Sequence, residues 1–403
     1  MREYLSNKFE EVFSEKAEYF ISNGGRFEVI GNHTDHNHGL CIAGTCSLSI
    51  YSASNKRKDN IVKLISEGYD PISLDISSLK IDEKEKNTNN ALIRGIAYYL
   101  NKNDYKTGGM NIYMKSTIPS GAGVSSSAAF ELLVAHLFNL MYNDGKIERL
   151  TLCQAGQYAE RYYYGKMCGL LDQIGVGYGG YTFMDFKDDP PKIESLKANM
   201  DGYSFVIVNT GGSHAELSHL YTQIPDDMHH VANICGKEFL RDVSKEEMLK
   251  YKNEYSEREY NRALHFYGEN ERVEEALKAI KNGNINKLID LINKTRESCT
   301  NLLKNMCVDD QIKGSPLEAC NYIDEVSNHK AGVKINGGGF AGSVIALMPN
   351  EIVDKVCCAC KEKYGNNNVH IVSIRNEGPA EFWLNIKKNS PSAIYPNCFL
   401  FWK

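Results

Sequence analysis

Ile118-Pro119-Ser120-Gly121-Ala122-Gly123-Val124-Ser125-Ser126-Ser127-Ala128-Ala129 is the stretch on which the reading of this chain turns. It joins two segments of opposite character. Asn111 to Thr117 before it reads as a strand. Ser126 to about Tyr142 after it carries Phe130, Leu132, Leu133, Val134, Leu137, Phe138 and Leu140, apolar on most faces, so a core helix is expected. Glycines let the backbone approach an anion closely, and the amides of Val124 to Ser127 open the helix. Unpaired N–H groups at the positive end of a helix dipole suit a polyphosphate. A plain Gly/Ser turn with a serine N-cap accounts for the same residues equally well. The pattern G-x-x-x-x-G-K-[ST] is absent, so a P-loop fold is not expected.

Upstream, Gly24-Gly25-Arg26-Phe27-Glu28-Val29-Ile30-Gly31-Asn32-His33-Thr34-Asp35-His36-Asn37-His38-Gly39 crowds polar groups onto a turn. Strands are expected on either side, at Arg26 to Ile30 and Cys41 to Ser52. Residues on a turn held by a scaffold are well placed to bind a ligand. His33, Asp35, His36 and His38 lack the cysteine or second acidic cluster of a metal site. Carboxylate and imidazole groups do both bond hydroxyls. Downstream, Lys334-Ile335-Asn336-Gly337-Gly338-Gly339-Phe340-Ala341-Gly342-Ser343 places four glycines between two further strands. Such a loop can approach a ligand or another backbone, although Gly-rich hairpin loops are ordinary.

The remaining chain mixes helices and strands. Leu5, Phe9, Val12, Phe13 and Phe20 suggest an opening helix that Gly24-Gly25 ends. Ala91 to Leu100 and Leu152 to Tyr164 are further helices, and Gly175 to Phe186 is Gly-rich and strand-like. Lys187-Asp188-Asp189-Pro190-Pro191-Lys192 is the clearest punctuation, so a domain boundary is expected there, dividing 1–190 from 191–380. Beyond it a strand at Tyr203 to Thr210 precedes a mainly helical stretch from about Asp226 to Asn328. Strands follow at Gly332 to Asn336, Ser343 to Met348, Val369 to Ile374 and Glu381 to Ile386, with 381–403 returning to the first domain. Helices and strands without strict alternation argue α+β.

Composition narrows the classes. A length of 403 residues favours two domains. Lys plus Arg total 46 against 51 Asp plus Glu, and a net charge of −5 does not indicate a nucleic-acid surface. No apolar run approaches the roughly 18 residues of a membrane helix. The N-terminus has no apolar signal core, so a cytoplasmic protein, monomeric by default, is expected. Cys357-Cys358-Ala359-Cys360 falls within an expected helix from Glu351 to Tyr364 and reads as buried or half-buried thiols.

Taken together, the three Gly-containing segments resemble the signature motifs of the GHMP small-molecule kinases. The sugar-kinase branch carries G-R-V-N-L-I-G-E-H-T-D-Y-N-x-G where this chain has Gly25 to Gly39. P-x-G-x-G-[LV]-S-S-S-A-A is matched by Pro119 to Ala129, and T-G-G-G-F-G-G by Asn336 to Gly342. Cys168-Gly169-Leu170-Leu171-Asp172-Gln173 resembles a fourth pattern, C-G-x-x-D-Q, and the order agrees along nearly the whole chain.

The resemblance implies an α+β, two-domain GHMP kinase fold. An N-terminal mixed α/β domain and a C-terminal ferredoxin-like α+β domain would enclose the active site in their cleft. It also implies ATP and Mg²⁺, and phosphoryl transfer to the anomeric hydroxyl of a small sugar, D-galactose being favoured. Asp172 matches the catalytic aspartate and Arg26 the arginine paired with it. A carboxylate that orients the hydroxyl or takes its proton lowers the barrier. A guanidinium keeps that carboxylate ionised and neutralises charge on the moving phosphoryl group. Asn32, His33, Asp35, Gly169, Asp172 and Tyr221 match sugar-contacting positions. Pro119, Gly121, Ala122, Gly123, Val124, Ser125, Ser126 and Ser127 match the ATP loop, and Gly337, Gly338 and Gly339 the third motif. Ser127 and Glu160 match the Mg²⁺ ligands, hard oxygens of the kind this ion prefers.

Four departures stand out. The family glutamate that contacts the C6 hydroxyl is Asn32 here, and the family tyrosine is His36. Both aromatics of W-A-N-Y-V-K-G, which help clamp adenine, are missing from Asn89-Asn90-Ala91-Leu92-Ile93-Arg94-Gly95. Ala341 replaces a glycine. Asparagine lacks the charge and can donate, which makes an N-acetylated, deoxy or pentose sugar the alternative substrate. A non-catalytic sugar-sensing regulator is the alternative from another class, opposed by the retention of Ala128-Ala129, Arg26 and Asp172. A mevalonate or homoserine kinase is disfavoured by His33-Thr34-Asp35.

Overall fold

The computed structural model describes residues 1–119, 121–211, 217–309 and 311–382. Its first sheet is built from β1 (Tyr19–Ile30), β2 (Leu40–Lys56), β3 (Ile61–Ser66), β4 (Ile72–Asp75), β5 (Met110–Ser116), β6 (Tyr181–Asp185) and β7 (Lys192–Leu196). The second sheet takes β8 (Tyr203–Asn209), β9 (Gly332–Asn336), β10 (Ser343–Pro349) and β11 (Val369–Val372), ordered β11-β8-β10-β9. A last short strand, β12 (Ala380–Glu381), returns to pair with β1 and completes the first order, β12-β1-β2-β5-β3-β4. β6 pairs with the start of β2, and β7 with β6. Only β3 and β5 run parallel among the described strands.

α1 (Arg2–Phe13) lies on one face of the first sheet, burying Leu5 and Phe9 against Phe20, Ala53 and Tyr113. The other face is covered by α2 (Asn89–Lys102), α3 (Ser126–Asn143), α4 (Arg149–Tyr158) and α5 (Leu171–Gly177). The continuous apolar run of α3 is buried as expected, because α2, α4 and α5 surround it. Six helices serve the second lobe: α6 (Ser218–Ile234), α7 (Lys245–Lys250), α8 (Glu257–Lys281), α9 (Ile285–Ser298), α10 (Pro316–Val326) and α11 (Asn350–Tyr364). α8 starts on a reciprocal capping box between Ser256 and Glu259. Among the described residues no helix is long and apolar enough to cross a membrane. Cys357 and Cys360 are buried in α11 as free thiols, with Cys358 exposed beside them.

A third apolar cluster joins the two sheets. Phe27, Ile30 and Ile42 of the first meet Phe205, Ile207, Ile345 and Leu347 of the second, with α8 and α9 closing over them. The cleft that holds the site lies along the edge of this seam.

Several elements differ from the sequence reading, each for a local reason. α1 ends at Phe13, where Ser14 turns left-handed at φ 55°, so Phe20 belongs to β1. Gly24 and Gly25 end no helix. They sit inside β1 at a bulge, where a Cβ on Gly25 would come within 2.5 Å of the Val124 carbonyl oxygen. Gly175 to Phe186 is a helix and then a strand, since Gly175 allows α5 to pack directly on Arg26 and Ala43. The Pro-Pro punctuation is the hairpin turn between β6 and β7, and the chain passes to the second sheet between Leu196 and Tyr203. β11 stops at Val372, leaving Ile374 an isolated bridge to Cys46. Of the expected strand from Glu381 to Ile386, Glu381 pairs with Ile21, while 383–386 and the rest of the tail lie outside the described residues, as does Ser120.

Candidate active site

β1 delivers Arg26 into the cleft, and the first turn of α5 delivers Asp172. Arg26 Nε donates to Asp172 Oδ1 at 2.7 Å, and Arg26 Nη1 donates to the Gly123 carbonyl at 2.9 Å. The other carboxylate oxygen accepts from Ser125 Oγ at 2.5 Å. Burial alone would raise the Asp172 carboxyl, but Arg26 and the Ser125 hydroxyl outweigh it and hold the group below the ordinary aspartate value. Its side chain is still 29% exposed, so an ionised oxygen faces the cleft.

The glycine loop owes its shape to left-handed turns at Gly121 (φ 74°), Gly123 (φ 69°) and Ser125 (φ 53°). Ser125 occupies the N-cap position of α3 but gives its hydroxyl to Asp172 and makes no side-chain cap. The first amides of α3 are thus left without a serine cap, an arrangement suited to anionic phosphate oxygens. The third motif closes over the loop. Asn336 Nδ2 donates to the Gly123 carbonyl at 3.1 Å, and Asn336 Oδ1 accepts from the Glu28 amide at 3.0 Å. Gly337 (φ 87°), Gly339 (φ 94°), Phe340 (φ 62°) and Gly342 (φ 91°) carry the left-handed turns of this loop, whereas Ala341 does not, so its methyl is accommodated.

Ser127 and Glu160 also come together, Ser127 Oγ lying 3.4 Å from Glu160 Oε1. Glu160, only 3% exposed, is gripped from behind by Gln173 Nε2, which donates to it and to Glu131, both at 3.0 Å. Burial, reinforced by the Glu160 charge, pushes the Glu131 carboxyl far above the ordinary range. Lys166 Nζ donates to Glu160 Oε1 at 2.8 Å. Two hard oxygens at the mouth of a phosphate-shaped loop fit Mg²⁺.

A small pocket runs from Asp172 between the lobes, lined by Arg26, Glu28, Asn32, His33, Asp35, Tyr221 and the Gly337-Gly338 backbone. His33 Nε2 lies 2.8 Å from the Gly338 carbonyl, which fixes the proton on that nitrogen. Nδ1 is left buried and without a partner among the described residues. Burial lowers the His33 pKa to about 3, with His36 adding to the effect, so the ring is neutral and Nδ1 accepts. Asp35 packs over Gly169, where a Cβ would overlap its Oδ2 at 1.7 Å. The Tyr221 ring presses on Gly338 in the same way, with an equivalent Cβ only 1.5 Å from a ring carbon.

The structure thus gathers Arg26, Asp172, His33, Asp35, Gly169 and Tyr221 around one pocket, with Ser127 and Glu160 beside it. Asn32 lines this pocket, but its amide is engaged elsewhere. Nδ2 donates to the Glu28 carboxylate and to the Gly337 carbonyl, while Oδ1 accepts from Asn305 Nδ2 at 2.9 Å. Glu28, Lys166 and Lys334 were not singled out by motif. The quoted signature does hold a signal for Glu28, since it has asparagine there and glutamate at position 32, the reverse of this chain. In place of the family aromatics, Asn89 and Asn90 open α2 and Leu92 is 2% exposed in the core.

A phosphate-shaped loop at the head of α3, facing a carboxylate held by a guanidinium, defines a kinase of the GHMP class. The GHMP kinases N terminal domain matches residues 91–180, and the galactokinase galactose-binding signature matches residues 7–56. The galactokinase of Lactobacillus helveticus is 30% identical over 363 residues, 86% of this chain and 90% of that protein. The galactokinase of Clostridium tetani is 28% identical over 387 residues, 92% of this chain and 93% of that protein. The crystal structure of Lactococcus lactis galactokinase complexed with galactose superposes with a TM-score of 0.83 at 25% identity, covering 94% of this chain and all of that one. The chain belongs to the galactokinase family and is a sugar kinase that uses ATP.

Proposed function

We propose that the protein transfers the terminal phosphoryl group of ATP to the anomeric hydroxyl of D-galactose, with Mg²⁺ held by Ser127 and Glu160. The observation that carries this reading is the Asp172 carboxylate, fixed between Arg26 and Ser125 and open to the pocket on its remaining side. The C1 hydroxyl donates to Asp172, which orients it and takes its proton as the new O–P bond forms. Arg26, already tied to Gly123 of the glycine loop, presents positive charge where the phosphoryl group crosses. His33 Nδ1 and Asp35 accept sugar hydroxyls, and Tyr221 closes the pocket against Gly338. The loop amides from Gly121 to Ser127 bind the phosphate oxygens. Mg²⁺ held by Ser127 and Glu160 would supply neutralising charge to the transferring phosphoryl group.

A phosphate-transfer assay over galactose, N-acetylgalactosamine, arabinose, fucose and glucose tests the reading. It expects galactose to be used with the highest kcat/KM. No turnover of galactose, with folding confirmed, overturns it. A non-catalytic regulator would bind galactose and ATP without any turnover.

A further inference from the structure

Glu28 is the one acidic side chain in the pocket wall that the catalytic reading leaves without a task. It stands two residues after Arg26 on a regular stretch of β1, where Arg26 pairs with Thr45 and Glu28 with Ala43. Both side chains therefore point to the same face of the strand, roughly 7 Å apart along it. Glu28 therefore shares the pocket with the Arg26–Asp172 pair.

The carboxylate is asymmetrically satisfied. Oε1 accepts from Lys334 Nζ at 2.7 Å and from Asn32 Nδ2 at 3.1 Å, whereas Oε2 has only a shared contact with the same Asn32 amide at 3.2 Å. An ionised carboxylate offers about four acceptor positions, so Oε2 has capacity left in a residue that lines the pocket. Asn32 has none. Its two N–H groups serve Glu28 and the Gly337 carbonyl, and its oxygen serves Asn305 at 2.9 Å with the Cys299 thiol at 3.5 Å. An amide has two donors and one two-lone-pair oxygen, and all are spent inside the protein.

We propose that Glu28, and not the Asn32 amide, reads the C6 hydroxyl of the sugar, so that this pocket selects a hexose bearing a hydrogen-bond donor at C6. The inference rests on the galactose reading above. Relative to the family signature the acid has moved from position 32 to position 28. The amide has taken the vacated place and become a strut that aims the carboxylate, while Lys334 on β9 supplies the counter-charge from the other sheet. A donor is required because a carboxylate only accepts. A site built this way rejects an analogue that lacks the hydroxyl, leaving a buried charge half satisfied.

The test compares kcat/KM for D-galactose, 6-deoxy-D-galactose and 6-deoxy-6-fluoro-D-galactose, first on the unaltered enzyme. Both analogues are expected to fall about 100-fold below galactose, the size of a hydrogen bond to a charged group. Fluorine accepts but cannot donate, so a fluoro sugar used as well as galactose would overturn the proposal without any variant. Glu28→Gln keeps the shape and an acceptor for Lys334 but removes its counter-charge, so folding of the variant is checked by urea unfolding before the sugars are compared. The variant is expected to lower galactose use by about 10- to 100-fold while leaving the 6-deoxy sugar within about 3-fold, so that discrimination collapses. A Glu28→Gln enzyme that loses activity equally on all three sugars would show Glu28 to be only a strut between the sheets. Failure of the unaltered enzyme to use galactose at all would instead defeat the galactose reading, a different result from galactose used without discrimination at C6.

Discussion

Arg26 and Glu28 are neighbours on one face of β1, and each enters an ion pair, yet the two pairs are built for different ends. Arg26 meets Asp172 within its own lobe, and Asp172 remains 29% exposed with an oxygen toward the pocket. Glu28 meets Lys334 from the opposite sheet, and these side chains are 5% and 0% exposed. The first pair keeps a carboxylate ionised where chemistry needs it. The second ties the two sheets together within the pocket wall. Buried ion pairs are costly to break from one side because the surviving charge is stranded. Partly open ones lose less stability on truncation, and under the proposed function this one would lose the reaction.

That contrast can be broken or sharpened experimentally. The largest expected effect is on Asp172→Asn. Its kcat should fall by about 10³-fold while galactose binding, followed by calorimetry, and the unfolding midpoint stay near those of the unaltered enzyme. Lys334→Met should act first on stability, costing about 3–5 kcal/mol in urea unfolding because Glu28 loses its counter-charge. If Asp172→Asn proves the more destabilising of the two, the contrast fails. Ser125→Ala should be milder. It removes one of the groups that lower the Asp172 pKa, so the acid limb of the kcat profile should move to higher pH and the rate drop by up to about 10-fold.

The smallest effect concerns His33. Its pKa in the folded protein is about 3, below its value in an unfolded chain. Unfolded chains therefore take up the proton first, and stability drains away as the pH falls from about 6.5 toward 3. Acidifying from pH 7 to 5.5 should cost about 1 kcal/mol from this group, a loss absent in a folded His33→Asn variant. Above pH 7 the ring is neutral in both states and contributes no slope.

Much of this site was legible from residues close together in the chain. Arg26, Asp172 and the glycine loop stand in short motifs whose resemblance to the family signatures implied their roles. Ser125 was legible as a residue of the ATP loop, but the sequence alone does not show that Asp172, 47 positions away, takes its hydroxyl. The Glu28–Lys334 pair spans 306 positions and depends on two sheets meeting, which no local period encodes. Gly24-Gly25 looked like a helix end because glycine breaks helices. Its purpose is the close passage of β1 past Val124, again a contact between distant segments. Lys166 was passed over because its partner, Glu160, is met only where a π-helical turn folds Gly165 and Lys166 back onto the Glu160 carbonyl.

Phe27 lies between Arg26 and Glu28 on β1 and points the other way, into the seam between the sheets, its ring 4.5 Å from that of Phe205. One strand therefore turns alternate residues to the pocket and to the seam between the sheets. Neither half can melt alone without stripping the other of a wall, so heating should produce one cooperative transition, and a cavity cut at position 27 should loosen the catalytic pair it never touches.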